Sequence, residues 1–198
     1  GYHAIESAVS TININPSVAF KASDKLSLGF GLNAQYIDVT LSSAVDFGTA
    51  CVLQEDGGVL PDGTCGAAGL SPQSADGFAE ITGDALSYGW NAGLIYDLSE
   101  ATRFGLAYRS SVEHDLDGDI DFTVPASAAF MTSSGLFTDT AAEASVMLPE
   151  TLTASMHHAL NDRLNLMADA SWTGWGRFKE LRIEYPDSPQ PDSVTTEK

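Results

Sequence analysis

Strict alternation between apolar and polar or small residues recurs six times along the chain and constrains its fold more than any other feature. In the first stretch the even positions from Ile12 to Phe20 are apolar, and the residues between them are mostly polar. Alternate residues of a β-strand face opposite sides of the sheet, so each stretch predicts an amphipathic strand. The other five stretches begin at Leu26, Leu86, Phe104, Leu152 and Leu164. The sequence therefore predicts an all-β fold without a long helix.

The connections between these strands alternate in length. Short turns fall near Ser23 and at residues 98–102 and 161–163, whereas long loops cover about residues 42–82 and 124–144. In an antiparallel up-and-down sheet, successive connections lie at opposite edges, so one edge carries turns and the other carries long loops. This asymmetry is typical of outer-membrane β-barrels, with short periplasmic turns and long extracellular loops.

The two faces of the predicted strands favour a transmembrane barrel over a soluble sandwich. The polar face consists mainly of Gly, Ser, Asn and Thr, as expected inside a closed barrel, and the apolar face carries aromatic residues near the strand ends. Such aromatics suit the level of the lipid headgroups. Only 18% of residues are charged, compared with about 25% in soluble domains. The net charge of −18 argues against a nucleic-acid partner.

Six strands are too few to close a barrel, and open sheet edges are not tolerated in hydrocarbon. We therefore expect residues 1–198 to form the central portion of a longer outer-membrane barrel. Cys51 and Cys65 lie in one Gly-rich polar stretch. In an oxidising compartment a disulfide between them is the default expectation, whereas in a cytosolic enzyme it would not be expected.

Four segments carry a resemblance to a known family. They are Ile14 to Ser42 (INPSVAFKASDKLSLGFGLNAQYIDVTLS), Leu86 to Phe122 (LSYGWNAGLIYDLSEATRFGLAYRSSVEHDLDGDIDF), Leu148 to Arg163 (LPETLTASMHHALNDR) and Trp172 to Ile183 (WTGWGRFKELRI). In order and spacing they resemble the middle of the barrel in the FadL family of outer-membrane long-chain fatty acid transporters, which includes relatives that take up aromatic hydrocarbons.

The resemblance implies a fourteen-stranded barrel of a Gram-negative bacterium, of which about six strands lie in this chain and the N-terminal hatch does not. It implies passive uptake of long-chain fatty acids or other hydrophobic molecules, collected by two long extracellular loops. We expect a monomeric barrel surrounded by outer-membrane lipid and lipopolysaccharide. The alternative is a structural or adhesive barrel whose loops bind a surface partner.

Three residues on the second strand are candidates for the wall of an internal hydrophobic pocket. After Tyr36 the alternation inverts, so that Ile37, Val39 and Leu41 are apolar on the side that faces the lumen lower down. Above the membrane the inside of a barrel can be apolar, whereas the outside meets water. The alternative is a β-bulge that restores an outward orientation of these side chains.

A lumenal arginine and an apolar loop complete the candidate ligand site. Arg109 lies on the polar face of its strand, where it would bind a fatty acid carboxylate; the alternative, which we favour, is a salt bridge to Glu113 or Asp169. The loop at 124–144 is unusually apolar for an exposed segment, which commonly marks an interaction site. Its candidate ligand-binding residues are Phe130, Met131, Leu136 and Phe137. The alternative is that they pack this loop against its neighbour.

No motif in the sequence predicts catalysis, a cofactor or a metal site. The acidic row from Glu113 to Asp121 has Ile120 where an EF-hand loop requires Gly, and His157 and His158 point to opposite faces of a strand. A lipase-like enzyme needs a nucleophile near a histidine, and none is evident. We therefore expect a protein that is not an enzyme and has no cofactor.

Overall fold

The computed structural model of this protein, described here for residues 4–177, 180–189 and 191–196, consists mainly of one antiparallel β-sheet. In the described part of the chain its eleven strands form an up-and-down meander, in which a long strand can pair with two shorter strands that follow each other on one side. The strands are β1 (Ala4–Ile14), β2 (Ser17–Lys21), β3 (Leu26–Asp46), β4 (Asp76–Asp97), β5 (Thr102–Arg109), β6 (Val112–Thr123), β7 (Thr140–Leu148), β8 (Thr151–Asn161), β9 (Leu164–Thr173), β10 (Glu180–Glu184) and β11 (Ser193–Thr196).

Each of the six predicted stretches lies in this sheet, which confirms the all-β prediction. The number of strands exceeds six because two stretches are each divided into two strands and because β7, β10 and β11 lie outside the six stretches. β1 and β2 pair with β3 on either side of Pro16, and β5 with β8 continues into β6 with β7 across residues 110–111 and 149–150. Pro16 and Pro149 have no backbone N–H and cannot donate to the ladder, which explains two of the interruptions.

The apolar face of the sheet is exposed and its polar face is buried, the reverse of a soluble sandwich. On β3 the side chain of Leu32 is 55% exposed, whereas its neighbour Asn33 is 4% exposed. Phe30, Trp90 and Tyr108 stack side by side on the exposed face, with ring centroids 6.3 and 5.1 Å apart. An exposed apolar surface of this extent suits contact with lipid tails.

The sheet extends further towards the long loops than the sequence predicts. β3 runs to Asp46 and β4 starts at Asp76, so the first loop covers residues 47–75 instead of 42–82; the second covers 124–139 instead of 124–144. The extra strand residues were missed because their alternation is inverted: in β4, Ala79, Ile81 and Ala85 face inwards. The first loop also contains two short helices that alternation could not show, α1 (Phe47–Asp56) and α2 (Thr64–Ala67).

The outer face changes character where β6 begins. The side chains of Glu113, Asp115, Asp117, Asp119 and Asp121 are all exposed on the outer side, and the residues between them face inwards. Ionised carboxylates cannot face hydrocarbon. β6 and its neighbour β7 therefore lie outside the hydrophobic band that the aromatic residues mark, on the side of the long loops.

Among the described residues no strand pairing closes the sheet into a ring. The described part of the chain contains no helix long and apolar enough to cross a membrane. Two 3₁₀ helices complete the fold, one at Ala126–Ser134 in the second loop and one at Trp175–Arg177 between β9 and β10.

Candidate ligand-binding cavity

The inverted segment of β3 forms part of the inner wall beside the loops. β3 and β4 pair without a register shift from Leu26 with Tyr96 to Asp46 with Asp76, so there is no bulge at residues 37–41. Ile37, Val39 and Leu41 consequently stay on the inner face, and Ile37 is 5% exposed. The structure thus excludes the bulge alternative for this pair of strands.

These three residues line an apolar cavity of about 310 Å³. Side chains from six strands surround it, and nearly all of the lining atoms are carbon. The side chains that join the β3 residues come from β1, β4, β6, β7 and β10, and include Val9, Ile81, Leu116, Ala142, Ala144, Val146, Leu148 and Ile183. The cavity lies in the part of the sheet whose outer face is acidic, so its apolar lining is on the opposite, inner face.

The sequence contained a signal for the additional lining residues. In β7 the even positions from Ala142 to Leu148 are apolar or small, and the odd positions include Glu143 and Ser145. This is the same inverted alternation as in β3, and it predicts an apolar inner face. Because this stretch falls in the predicted loop at 124–144 and just after it, its pattern was not recognised as a strand.

A cluster of amides lies on the inner face below the cavity. The side chain of Asn15 donates to Oδ1 of Asn33 at 3.0 Å and to Oδ1 of Asn91 at 2.8 Å, and Asn13 donates to Asn33 at 3.3 Å. The cluster closes over Gly31, where a Cβ atom would lie 2.7 Å from Oδ1 of Asn91. These side chains reach one another because the strands that carry them are neighbours and Gly31 leaves the space.

Arg109 lies beside this amide cluster, on the inner face. Its strand neighbour is Asn91, and both residues line a second concavity of about 580 Å³. The predicted salt bridge is absent from the described residues: Glu113 points to the outer face, and Asp169 lies two strands away, displaced by four residues along β9. The sequence could not show this, because the break at residues 110–111 inverts the alternation between β5 and β6.

The two long loops share one hydrophobic core. Cys51 and Cys65 form a disulfide that joins α1 to α2. Around it pack Phe47, Leu70, Ala128 and Met131, and Met131 is 1% exposed. The rings of Phe47 and Phe137 meet edge to face, with centroids 5.0 Å apart.

The candidate loop residues take part in this core to different degrees. Met131 is buried in it, while Phe130 and Phe137 are half-buried against it, as the packing alternative predicts. Leu136 is also half-buried. Contact of these residues with a ligand stays a prediction, and a groove between the loops is compatible with the packing.

The loop core is anchored to the sheet by a helix cap. The carboxylate of Asp46 accepts hydrogen bonds from the backbone N–H of Thr49 at 3.0 Å and of Gln73 at 2.9 Å. Desolvation alone would raise the pKa of Asp46, but the hydrogen bonds from Thr49, Gln73 and Gly48 outweigh it and lower the pKa. An Asp followed after two residues by a Thr at the end of an alternating stretch was the available sequence signal for this cap.

Carboxylates of neighbouring strands lie side by side on the outer face. Asp38, Asp84, Asp117, Glu143 and Glu184 are successive cross-strand partners over β3, β4, β6, β7 and β10. In the described part of the chain, no group of three or more His, Cys, Asp or Glu side chains is arranged to hold a metal ion.

An apolar outer face, a polar inner face and an apolar cavity beside a loop cap together define a wall of an outer-membrane β-barrel. Residues 1–197 match the model of the outer membrane protein transport protein family, OMPP1/FadL/TodX. The chain belongs to this family, and it is therefore a protein of the Gram-negative outer membrane.

Individual relatives agree with this assignment. The chain is 30% identical over 194 residues to outer membrane protein P1 of Haemophilus influenzae, covering 90% of this chain and 39% of that protein. It is 27% identical over 190 residues to the long-chain fatty acid transport protein of Escherichia coli O157:H7, covering 88% of this chain and 41% of that protein. The chain thus spans about two fifths of the length of these curated relatives.

Solved structures show the same fold. A FadL homologue of Pseudomonas aeruginosa superimposes with a TM-score of 0.74 at 21% identity, over 96% of this chain and 44% of that one. The toluene transporter TbuX of Ralstonia pickettii superimposes with a TM-score of 0.63 at 21% identity, over 96% of this chain and 48% of that one.

Proposed function

We propose that this chain forms the ligand-binding wall of an outer-membrane transporter that takes up hydrophobic small molecules passively and without catalysis. The observation that carries the proposal is the apolar cavity around Ile37, Val39 and Leu41, on the inner face of a membrane barrel wall. A soluble protein would hide such a surface under a second layer, whereas a transporter needs it open to its lumen. Relatives named for the transport of long-chain fatty acids and of toluene support this class of ligand.

The cavity has the size for weak to moderate binding of a hydrophobic molecule. At about 310 Å³ it lies at the lower end of the range of roughly 300–1,000 Å³ for small-molecule sites. Burying about 200 Å² of apolar ligand surface at about 25 cal/mol/Å² contributes roughly 5 kcal/mol, from which the cost of association is subtracted. Such affinity holds a ligand briefly and releases it along a concentration gradient.

The polar residues below the cavity suit the next part of the path. The amides of Asn15, Asn33 and Asn91 offer hydrogen bonds without a net charge. Arg109 lies next to them without an ion pair to any described residue, and its guanidinium would bind the carboxylate of a fatty acid. A ligand without a charged group would pass this region without such a contact.

The shared loop core suits the first contact with a ligand. Leu53 and Val59 of the first loop are 64% and 58% exposed, and the apolar residues of the second loop, Phe130, Leu136 and Phe137, lie against the same core. We propose that the two loops are extracellular and collect hydrophobic molecules for the cavity. The fourteen-stranded closure, a monomeric barrel and contact with lipopolysaccharide belong to the same proposal.

The decisive experiment changes one inner residue and compares it with its outward neighbour. In cells expressing the full-length protein, V39N is expected to lower the uptake of labelled oleate and toluene by roughly tenfold, because a buried amide without partners costs about 1–3 kcal/mol in an apolar site. T40N, one residue along on the opposite face, is the matched control and is expected to retain uptake. Both variants are first shown to be folded by heat-dependent migration in gel electrophoresis.

The comparison separates the two outcomes clearly. If V39N transports both compounds as well as T40N does, the cavity is not on the transport path. Loss of oleate uptake alone in R109Q, with toluene uptake retained, would support the proposed contact between Arg109 and a carboxylate.

A further inference from the structure

Among the described residues beside the cavity, His114 is a buried polar side chain whose chemistry does not fit its surroundings. It lies on β6 with its side chain on the inner face, and none of its surface is exposed. Neither ring nitrogen, Nδ1 or Nε2, has a hydrogen-bond partner. A buried polar group without a partner is rare in a folded protein and calls for an explanation.

The ring lies directly beside the lining of the cavity. Leu116 is the next residue on the same face of β6, and Val146 is the cross-strand partner of His114 on β7. Leu116 and Val146 both line the apolar cavity. The imidazole is therefore one side chain away from the space that we assign to the ligand.

The surroundings of the imidazole favour its neutral form. Burial lowers the pKa of His114, and the neighbouring carboxylate of Asp115, which raises it, does not reverse the effect. A neutral imidazole has one N–H donor and one nitrogen acceptor. Neither capacity is used by a described residue, and the surface of the neighbouring cavity is almost entirely apolar.

We propose that His114 is a specificity-determining residue of the cavity, and that the cavity favours hydrophobic molecules that carry one uncharged hydroxyl group, such as a phenol or an alcohol. The inference rests on the proposed function, since it requires a ligand in this cavity. A hydroxyl donates and accepts, so it satisfies either nitrogen of the ring. A site with a buried polar group prefers a ligand that pairs with it over an analogue that cannot.

Binding requires a small local rearrangement. Because the ring has no exposed surface, the ligand must displace a covering side chain before its hydroxyl reaches the imidazole. Leu116 and Val146 both line the cavity and are neighbours of His114 on the same face, so we expect a rotamer change of one of these side chains to admit the ligand. The hydrogen bond formed with the ligand offsets part of this cost.

The test measures the binding of 4-methylphenol and toluene to the full-length protein in detergent. The two probes differ by one hydroxyl group, and the ratio of wild-type to variant affinity for each probe cancels its partition into micelles. H114L is expected to weaken 4-methylphenol binding by about tenfold, the worth of one net hydrogen bond, and to change toluene binding by less than twofold. H114Q, which keeps a donor and an acceptor, is expected to restore part of the preference.

The outcomes distinguish this inference from the proposed function. Equal weakening of both probes in H114L, or no change in either, overturns the role of His114 while leaving a hydrophobic cavity in place. If H114L does not fold, the ratio of the two affinities in H114Q decides, because loss of the phenol preference there also overturns the role. If the wild-type protein binds neither probe, the proposed function and this inference both fail.

Discussion

The disulfide between Cys51 and Cys65 is expected to stabilise the loop core locally, and not the barrel wall. The bond joins residues 14 positions apart, and closing a loop of about 15 residues contributes roughly 3 kcal/mol. Both sulfurs are buried in the core that contains Phe47 and Met131. The double change to alanine, C51A with C65A, removes the link without burying a new polar group.

Hydrogen exchange measures this effect where it occurs. The amides of Val59 and Leu70, which donate to the carbonyls of Gln54 and Cys65 at 2.8 Å, report on the loop. Their protection is expected to fall by roughly 100- to 200-fold, the equivalent of about 3 kcal/mol. Amides of the sheet, such as that of Ile95, are the internal control and are expected to stay protected.

Reduction of the wild-type protein provides an independent route to the same state. It is expected to lower loop protection as much as the double alanine variant does. Loop protection that stays unchanged after mass spectrometry has shown two free thiols would refute the reasoning, since the packing of the loops would then hold without the covalent link.

Three further changes test other features of the wall. D46A removes the cap of α1 and is expected to lower the stability of the loop by about 1 kcal/mol at neutral pH. Because folding lowers the pKa of Asp46, the wild-type protein has this extra stability above the pKa of the unfolded state and loses it as the pH falls through the pKa of the folded state. A difference in loop stability between the two proteins that persists in acid would contradict this prediction. G118A places a Cβ atom against the backbone of Thr82 and is expected to lower the free energy of unfolding by about 1–3 kcal/mol, measured by thermal unfolding. G83A is the matched control, because its Cβ atom is 3.4 Å from the nearest neighbour. Equal unfolding temperatures for the two variants would count against the close approach at Gly118. Asp117 lies between the carboxylates of Asp84 and Glu143 on adjacent strands. D117N removes this repulsion and is expected to raise the unfolding temperature at low salt but not at high salt. A rise in unfolding temperature that does not depend on salt would exclude a charge effect.

The sheet and the orientation of its two faces could be predicted from the sequence, because the alternation of apolar and polar residues is strong in the membrane-spanning stretches. The predicted strand stopped at about residue 42, just beyond the point at which the apolar residues change sides, whereas β3 continues to Asp46. There the surroundings change from lipid outside to water outside, so the same strand needs the opposite pattern. When it is not known where lipid gives way to water along a strand, an alternation that inverts within the strand is easily taken for an irregular loop.

The site was accessible only in part. The inward orientation of Ile37, Val39 and Leu41 was predicted because the inversion in β3 is abrupt. The predicted salt bridge between Arg109 and Glu113 was wrong, since the break at residues 110–111 puts Glu113 on the outer face. The burial of His114 could not be predicted either, because β6 pairs with β7 and the sequence analysis placed most of β7 in or just after the loop at 124–144.

The exposed apolar face has a consequence for how stability is defined in this protein. In a soluble protein the apolar face of a sheet is covered by another part of the protein, whereas here exposed side chains such as Leu32 and Phe20 are covered by lipid acyl chains. The bilayer therefore acts as the missing half of the hydrophobic interior. Its thickness and composition contribute to the unfolding free energy as directly as a change of amino acid.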